Sequence, residues 1–179
     1  AYNGKAEIVK ADIRKEIEVR SIIPETIDNY PWAGHLGLKL LPAVLPVILQ
    51  SRSTLLFTNT RNQAENWYRS ILEAAPELAG IMALHHGSLE KSIREWVENE
   101  LRLGKLKLVV CTSSLDLGVD FTPVDTVIQI GGPKGVSRFM QRAGRSGHQP
   151  GATSQIYFVP THALELVESA ALQKAMDAN

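Results

Sequence analysis

The chain has 179 residues, 44% of them apolar and 21% charged, which supplies one sizeable core, is awkwardly little for two, and excludes a disordered polar chain. Lys and Arg together number 19, as do Asp and Glu, so net charge neither suggests nor excludes a polyanionic partner, and any basic track has to be local. The single cysteine, Cys111, excludes an intramolecular disulfide framework. No apolar run approaches the ~20 residues of a membrane span, and Ala1 to Ile8 lacks a signal pattern, so a cytoplasmic domain with no membrane partner is the expectation.

The first fifty residues read as an arm leading into a main domain at 51–179. Glu7 to Lys10 and Ile13 to Ile23 alternate charge with hydrophobe, which suits an exposed or edge strand pair. Pro24, Pro31, Gly34 and Gly37 break that pattern before a helix near Leu40 to Gln50, itself expected to be interrupted by Pro42 and Pro46. From Ser53 onward, short apolar runs alternate with amphipathic stretches. The runs are Thr54–Thr58, Gly80–Leu84, Lys107–Cys111, Thr126–Ile130 and Gln155–Val159, mostly apolar without alternation, as strands buried on both faces of a parallel sheet are.

Helices fill the intervals. Ala64, Trp67, Tyr68, Ile71, Leu72 and Ala75 recur at helical spacing, and Thr60 with Gln63 has the form of a capping box. A second helix opens after Ser88, is expected to bury Ile93, Trp96, Val97 and Leu101, and stops at Gly104. A third runs from about Ser137 through Ala143, and a fourth from Thr161 towards Met176. The alternation predicts an α/β fold: a doubly wound, mainly parallel sheet with helices on both faces.

In such sheets ligands bind outside the carboxyl ends of the strands, so the residues just after each run carry the information. They are Thr58-Asn59-Thr60-Arg61, His85-His86-Gly87-Ser88, Thr112 to Asp116, Gly131 to Gly135, and then Gln141 to His148. Hydroxyls and glycines beside helix starts make anion sites, and several in a row suit the spaced phosphates of a strand. Singly each is weak, because a Ser or Thr before a helix is usually a cap. His85 and His86 lack a third ligand at zinc spacing, so no metal site is expected, and Cys111 reads as a core residue. The last cluster is more specific. Arg142 and Arg145, three residues apart and interleaved with Gly144 and Gly147, should project from one side of a helical turn, as permanently charged forks suited to phosphate.

Gln141-Arg-Ala-Gly-Arg-Ser-Gly-His148 resembles motif VI of superfamily 2 helicases. Cys111 to Phe121 resembles motif V, Leu55 to Arg61 resembles motif IV, and His85-His-Gly-Ser88 resembles the loop-to-helix element between them. The wording is most similar to the large-helicase-related (Lhr-type) branch and, within it, to bacterial ligase-associated DEXH-box helicases. The resemblance implies a RecA-like fold of the P-loop NTPase type. It further implies the second of two RecA-like domains that close on ATP in a DNA helicase or translocase, of 3′-to-5′ polarity, with a role in DNA repair and repair partners such as a ligase.

By the same resemblance, Arg145 is the arginine finger, Arg142 contacts the partner domain or the phosphates, and Gln141 couples the site across the cleft. Asp120 matches the motif V aspartate that bonds the ribose, and Gly118 and His148 join it on the nucleotide side. His148 stands where many relatives carry a second finger arginine; either the two arginines share the charge or His148 adds a weaker contact. Thr112 and Ser113, Thr58, Asn59 and Arg61, and Gly87 and Ser88 are implied to hold phosphates of single-stranded or partly duplex DNA without reading sequence. Asp120 could equally cap the turn before Thr122-Pro123. Trp32 could act as a strand-separating wedge or simply pack against the domain.

The chain carries no Gly-x-x-x-x-Gly-Lys-Ser/Thr and no Asp-Glu-x-His, so ATP with its Mg2+ is expected to sit mainly on an N-terminal RecA-like domain, leaving this fragment inactive alone. The helical stretch Ala170 to Asn179 reads as the end of an excised fragment. Two other functions stay open: an RNA helicase domain of the same superfamily, and a RecA-like module that binds nucleic acid or protein without catalysis.

Overall fold

The computed structural model describes residues 17–23, 37–116, 124–146 and 154–177. Gly118, Asp120 and His148 lie outside the described residues, as do Glu7 to Lys10 and Trp32. Among the described residues six strands form one sheet: β1 (Ile17–Ser21), β2 (Thr54–Phe57), β3 (Met82–His85), β4 (Leu108–Cys111), β5 (Thr126–Ile130) and β6 (Ser154–Val159). Their order is β1-β6-β5-β2-β4-β3, and every neighbouring pair runs parallel. The apolar runs are strands because they are buried on both faces: all four residues of β2 and of β4, and all five of β5, are sealed from solvent.

Helices cover both faces, giving the doubly wound arrangement. On one side α1 (Leu41–Gln50) and α2 (Arg61–Ala74) place Val44, Ile48, Ala64, Trp67 and Ile71 against Leu56, Val110 and Ile128. On the other, α3 (Lys91–Arg102) and α4 (Val136–Ala143) bring Val97, Leu101, Phe139 and Ala143 onto Leu55, Val109 and Val127. A last helix, α5 (Ala163–Asp177), follows β6.

Ile17–Ser21, from the stretch expected to supply edge strands, pairs parallel with β6 at the edge of the main sheet, and α1 packs into the same core as α2. Two local expectations change. The helix α1 is continuous despite its two prolines. Pro42 lies in the first turn, where its missing N–H would have had no partner, and Pro46 forfeits one helical bond, which buried Val44 and Ile48 offset by packing. Second, α3 begins at Lys91 and turns Ile93 and Trp96 outward, 44% and 54% exposed, so its buried face is narrower than its apolar spacing suggests. It ends as expected, with Gly104 in the left-handed region at φ 68°.

Asp125 locks the opposite end of β2 to that of β5. Its carboxylate accepts from the Arg52 N–H (2.6 Å), the Ser53 N–H (2.7 Å) and the Ser53 hydroxyl (2.6 Å). Burial works to raise its pKa, but these donors outweigh burial and hold it below the usual 3.8. A depressed carboxylate contributes stability that is complete above the unfolded value and fades as pH falls through the folded one. Asp125→Asn should therefore destabilise the domain at pH 7, and the gap from wild type in urea midpoint should narrow below pH 3.8. A gap independent of pH would contradict this assignment.

Candidate functional site

The polar clusters fall on the carboxyl rim of the sheet. The loop after β2 leads into α2 on one face and the loop after the neighbouring β5 leads into α4 on the other, so the rim opens between these two strands. Asn59 bridges that opening: its side-chain amide donates to the Gly132 carbonyl at 3.0 Å. Behind it, the buried carboxylate of Glu165 accepts from the Gly132 N–H (2.5 Å), the Thr161 N–H (2.5 Å) and the Thr161 hydroxyl (2.9 Å). Gly132 permits this approach, because a Cβ there would lie 2.7 Å from Glu168 Oε2 and 3.2 Å from Glu165 Oε1.

The capping box at α2 forms with a shift. The Thr60 hydroxyl accepts from the Gln63 N–H, while the Gln63 side chain accepts from the N–H of Asn59, one residue before the cap. Arg61 opens the helix, exposed, its Nε 3.4 Å from Glu65 Oε1. A cation at a helix N-terminus opposes the dipole, and Glu65 one turn on offsets it. Thr58 differs from its sequence reading. It is fully buried, and its hydroxyl donates to the carbonyls of Thr60 and Cys111, so it holds the rim together instead of facing a ligand.

Next on the rim come the loops after β4 and β3. Thr112 is half-buried with its hydroxyl 3.5 Å from Ser114 Oγ, and Ser113 is exposed at the start of a 3-10 turn, Ser113–Leu115. Gly87 and Ser88 are exposed in the turn before α3. Adjacent strands lie about 4.8 Å apart. The loops after β2, β4 and β3 therefore present Arg61, Thr112–Ser113 and Gly87–Ser88 side by side, a row suited to an extended strand.

His85 fastens two of these loops. Its ring lies 2.7 Å from the Ser114 hydroxyl through Nδ1 and 3.1 Å from Glu98 of α3 through Nε2. Burial is the larger influence and holds its pKa below 6.5, against the opposing pull of Glu98. Cys111, at the end of β4, is sealed, and burial pushes its thiol up, which suits a core residue and not a nucleophile.

Both arginines meet Asp116, which the sequence reading placed on the rim but gave no role. Asp116 closes the 3-10 turn and is 5% exposed. Both of its oxygens accept from Arg142, Oδ1 from Nε at 2.7 Å and Oδ2 from Nη2 at 3.1 Å. Arg142 also donates to Gln129 Oε1 at 2.5 Å and lies over the Phe57 ring, 4.6 Å from its centroid. At 2% exposure it is an internal strut, with Nε, Nη1 and Nη2 each bonded inside the domain, and not a side chain that faces a phosphate or a partner domain. Arg145, in the turn after α4, is half-buried and donates through Nη2 to the backbone carbonyl of Asp116 at 2.6 Å. Gln141 is exposed on α4.

The profile of the helicase conserved C-terminal domain family matches residues 38–149, and the chain belongs to that family. It is 39% identical over 76% of its length to "ATP-dependent helicase Lhr-Core protein 2" of Thermococcus barophilus, covering 16% of that protein. It is 34% identical over 95% of its length to "ATP-dependent helicase Lhr-Core" of Methanocaldococcus jannaschii, covering 20% of it. Among solved structures, Mycobacterium smegmatis helicase Lhr bound to ssDNA and AMP-PNP superposes over 92% of this chain and 22% of that one, with TM-score 0.80 and 32% identity. The fold is RecA-like, and the domain is the C-terminal helicase domain of the Lhr type of superfamily 2. The chain spans about a fifth of the length of these relatives.

Proposed function

We propose that the chain is the second RecA-like domain of an ATP-dependent DNA helicase or translocase, completing the ATP site of an N-terminal RecA-like domain while holding one DNA strand along its own rim. One observation carries this reading. The segment Thr112–Asp116 carries half-buried Thr112 and exposed Ser113 on the rim at one end and binds Arg142 and Arg145 at the other. A displacement of the strand-facing end is thereby felt at the arginines within five residues.

The donor set suits a polyphosphate: Arg145 is permanently charged and half-buried, not sealed like Arg142. Arg145 would reach ATP as the arginine finger, with Gly118, Asp120 and His148 on the nucleotide side and Mg2+ held by the N-terminal domain. ATP supplies the phosphoryl transfer that drives movement along the strand. DNA is favoured over RNA by the relative of TM-score 0.80, whose structure holds ssDNA, and a role in DNA repair follows the Lhr-type kinship.

Strand contacts of this kind are sequence-independent and salt-dependent. Joined to an N-terminal RecA-like half, the domain should bind single-stranded oligonucleotides of different sequence about equally. Arg61→Ala should weaken all of them alike and lower the slope of log K against log salt by about 0.7, one phosphate's worth for a single strand. Fluorescence anisotropy across a salt series measures this. An unchanged slope would remove Arg61 from the track, and tighter binding to RNA than to DNA would favour the RNA-helicase reading.

A further inference from the structure

We infer that Asp116 is a positioning residue, which fixes Arg145 through its backbone carbonyl because its carboxylate is clamped on Arg142. Burying a carboxylate is costly unless its oxygens are bonded to a charged partner, and here both are. Arg142 is in turn held in one orientation. The Gln129 side-chain amide donates to the carbonyls of Ile130 and Gly131, each at 3.0 Å, which leaves its Oε1 to face Arg142. The clamp is therefore anchored to central strand β5 and, through the Phe57 ring, to β2. Arg138 adds a looser contact, Nε to Asp116 Oδ2 at 3.6 Å.

With its side chain so held, Asp116 has little freedom to move its main chain. Its N–H donates to the Ser113 carbonyl at 3.1 Å, and Leu115 before it is fully buried. The carbonyl that accepts from Arg145 is thus set by two restraints: the Arg142 clamp on one side and the strand-facing Ser113 turn on the other.

The inference rests on the reading of Arg145 as the finger, and the experiment separates the two. In the enzyme reassembled with its N-terminal RecA-like half, kcat and KM for ATP are measured with saturating single-stranded DNA for Arg145→Ala, Asp116→Asn and the double variant. Misplacing a reacting group by about 1 Å costs up to roughly 100-fold, so Asp116→Asn should lower kcat roughly 10- to 100-fold with KM little changed. The double variant should be no slower than Arg145→Ala alone, because the two act in one chain.

Loss of kcat in Arg145→Ala with full kcat in Asp116→Asn would overturn the positioning role and leave the finger standing. Unchanged kcat in Arg145→Ala would overturn the finger. Additive losses in the double variant would overturn action through Arg145. Should Asp116→Asn fail to fold, Asp116→Asn with Arg142→Gln removes both charges and should show the same selective loss of kcat. Retained kcat in that pair, or its failure to fold as well, would reduce Asp116 to a structural residue.

Discussion

Arg142→Met should cost the domain about 3–5 kcal/mol of stability, because it removes one partner from a buried ion pair and leaves the other without compensation. The remaining carboxylate of Asp116 is 5% exposed, and the nearest cation left to it is Arg138 at 3.6 Å. Gln129 Oε1 loses its donor, and Phe57 loses the cation over its ring. Domains of this size commonly have 5–15 kcal/mol in all, so the variant should unfold at a much lower urea concentration. Pairing it with Asp116→Leu should restore much of the loss, since an apolar pair of similar volume is often as stable as the ion pair it replaces. A change below about 0.5 kcal/mol, the scale of an ordinary surface substitution, would contradict the placement of Arg142 inside the domain.

The same residue shows where sequence reasoning stops. The spacing of Arg142 and Arg145 places both on one side of a helical turn, and the structure brings both to Asp116. Spacing could not show that one side chain turns into the core and the other stays half-buried, because that depends on a carboxylate 26 residues away in sequence. Asp116 carried no signal of its own: two residues after a Thr-Ser-Ser run it looks like any turn aspartate. The alignment of residues on one rim was legible because parallel strands put their carboxyl ends together whatever their order.

Thr58, also on that rim, could not be told from its neighbours, since orientation alternates along a strand and its end is set by the next loop. The five strands after Ser53 were legible from runs buried on both faces. The parallel pairing of β1 with β6 was not, because an edge strand with one solvated face reads the same in either direction. On α3, the apolar spacing of Ile93 and Trp96 promised burial, but the sheet covers only the side that carries Val97 and Leu101.

Arg145→Ala tests the central claim, that this domain completes an ATP site built mainly on another. The finger role requires a permanent charge held in position, and the 2.6 Å bond to the Asp116 carbonyl is one restraint that holds it. The measurement is single-stranded-DNA-stimulated ATP hydrolysis by the domain joined to its N-terminal RecA-like half, beside nucleotide affinity on the same protein. Removing an arginine finger typically costs 10³-fold or more in turnover, so the variant should lose about that factor while binding nucleotide nearly as well. Turnover equal to wild type would contradict the account and return the chain to a RecA-like module that binds without catalysing.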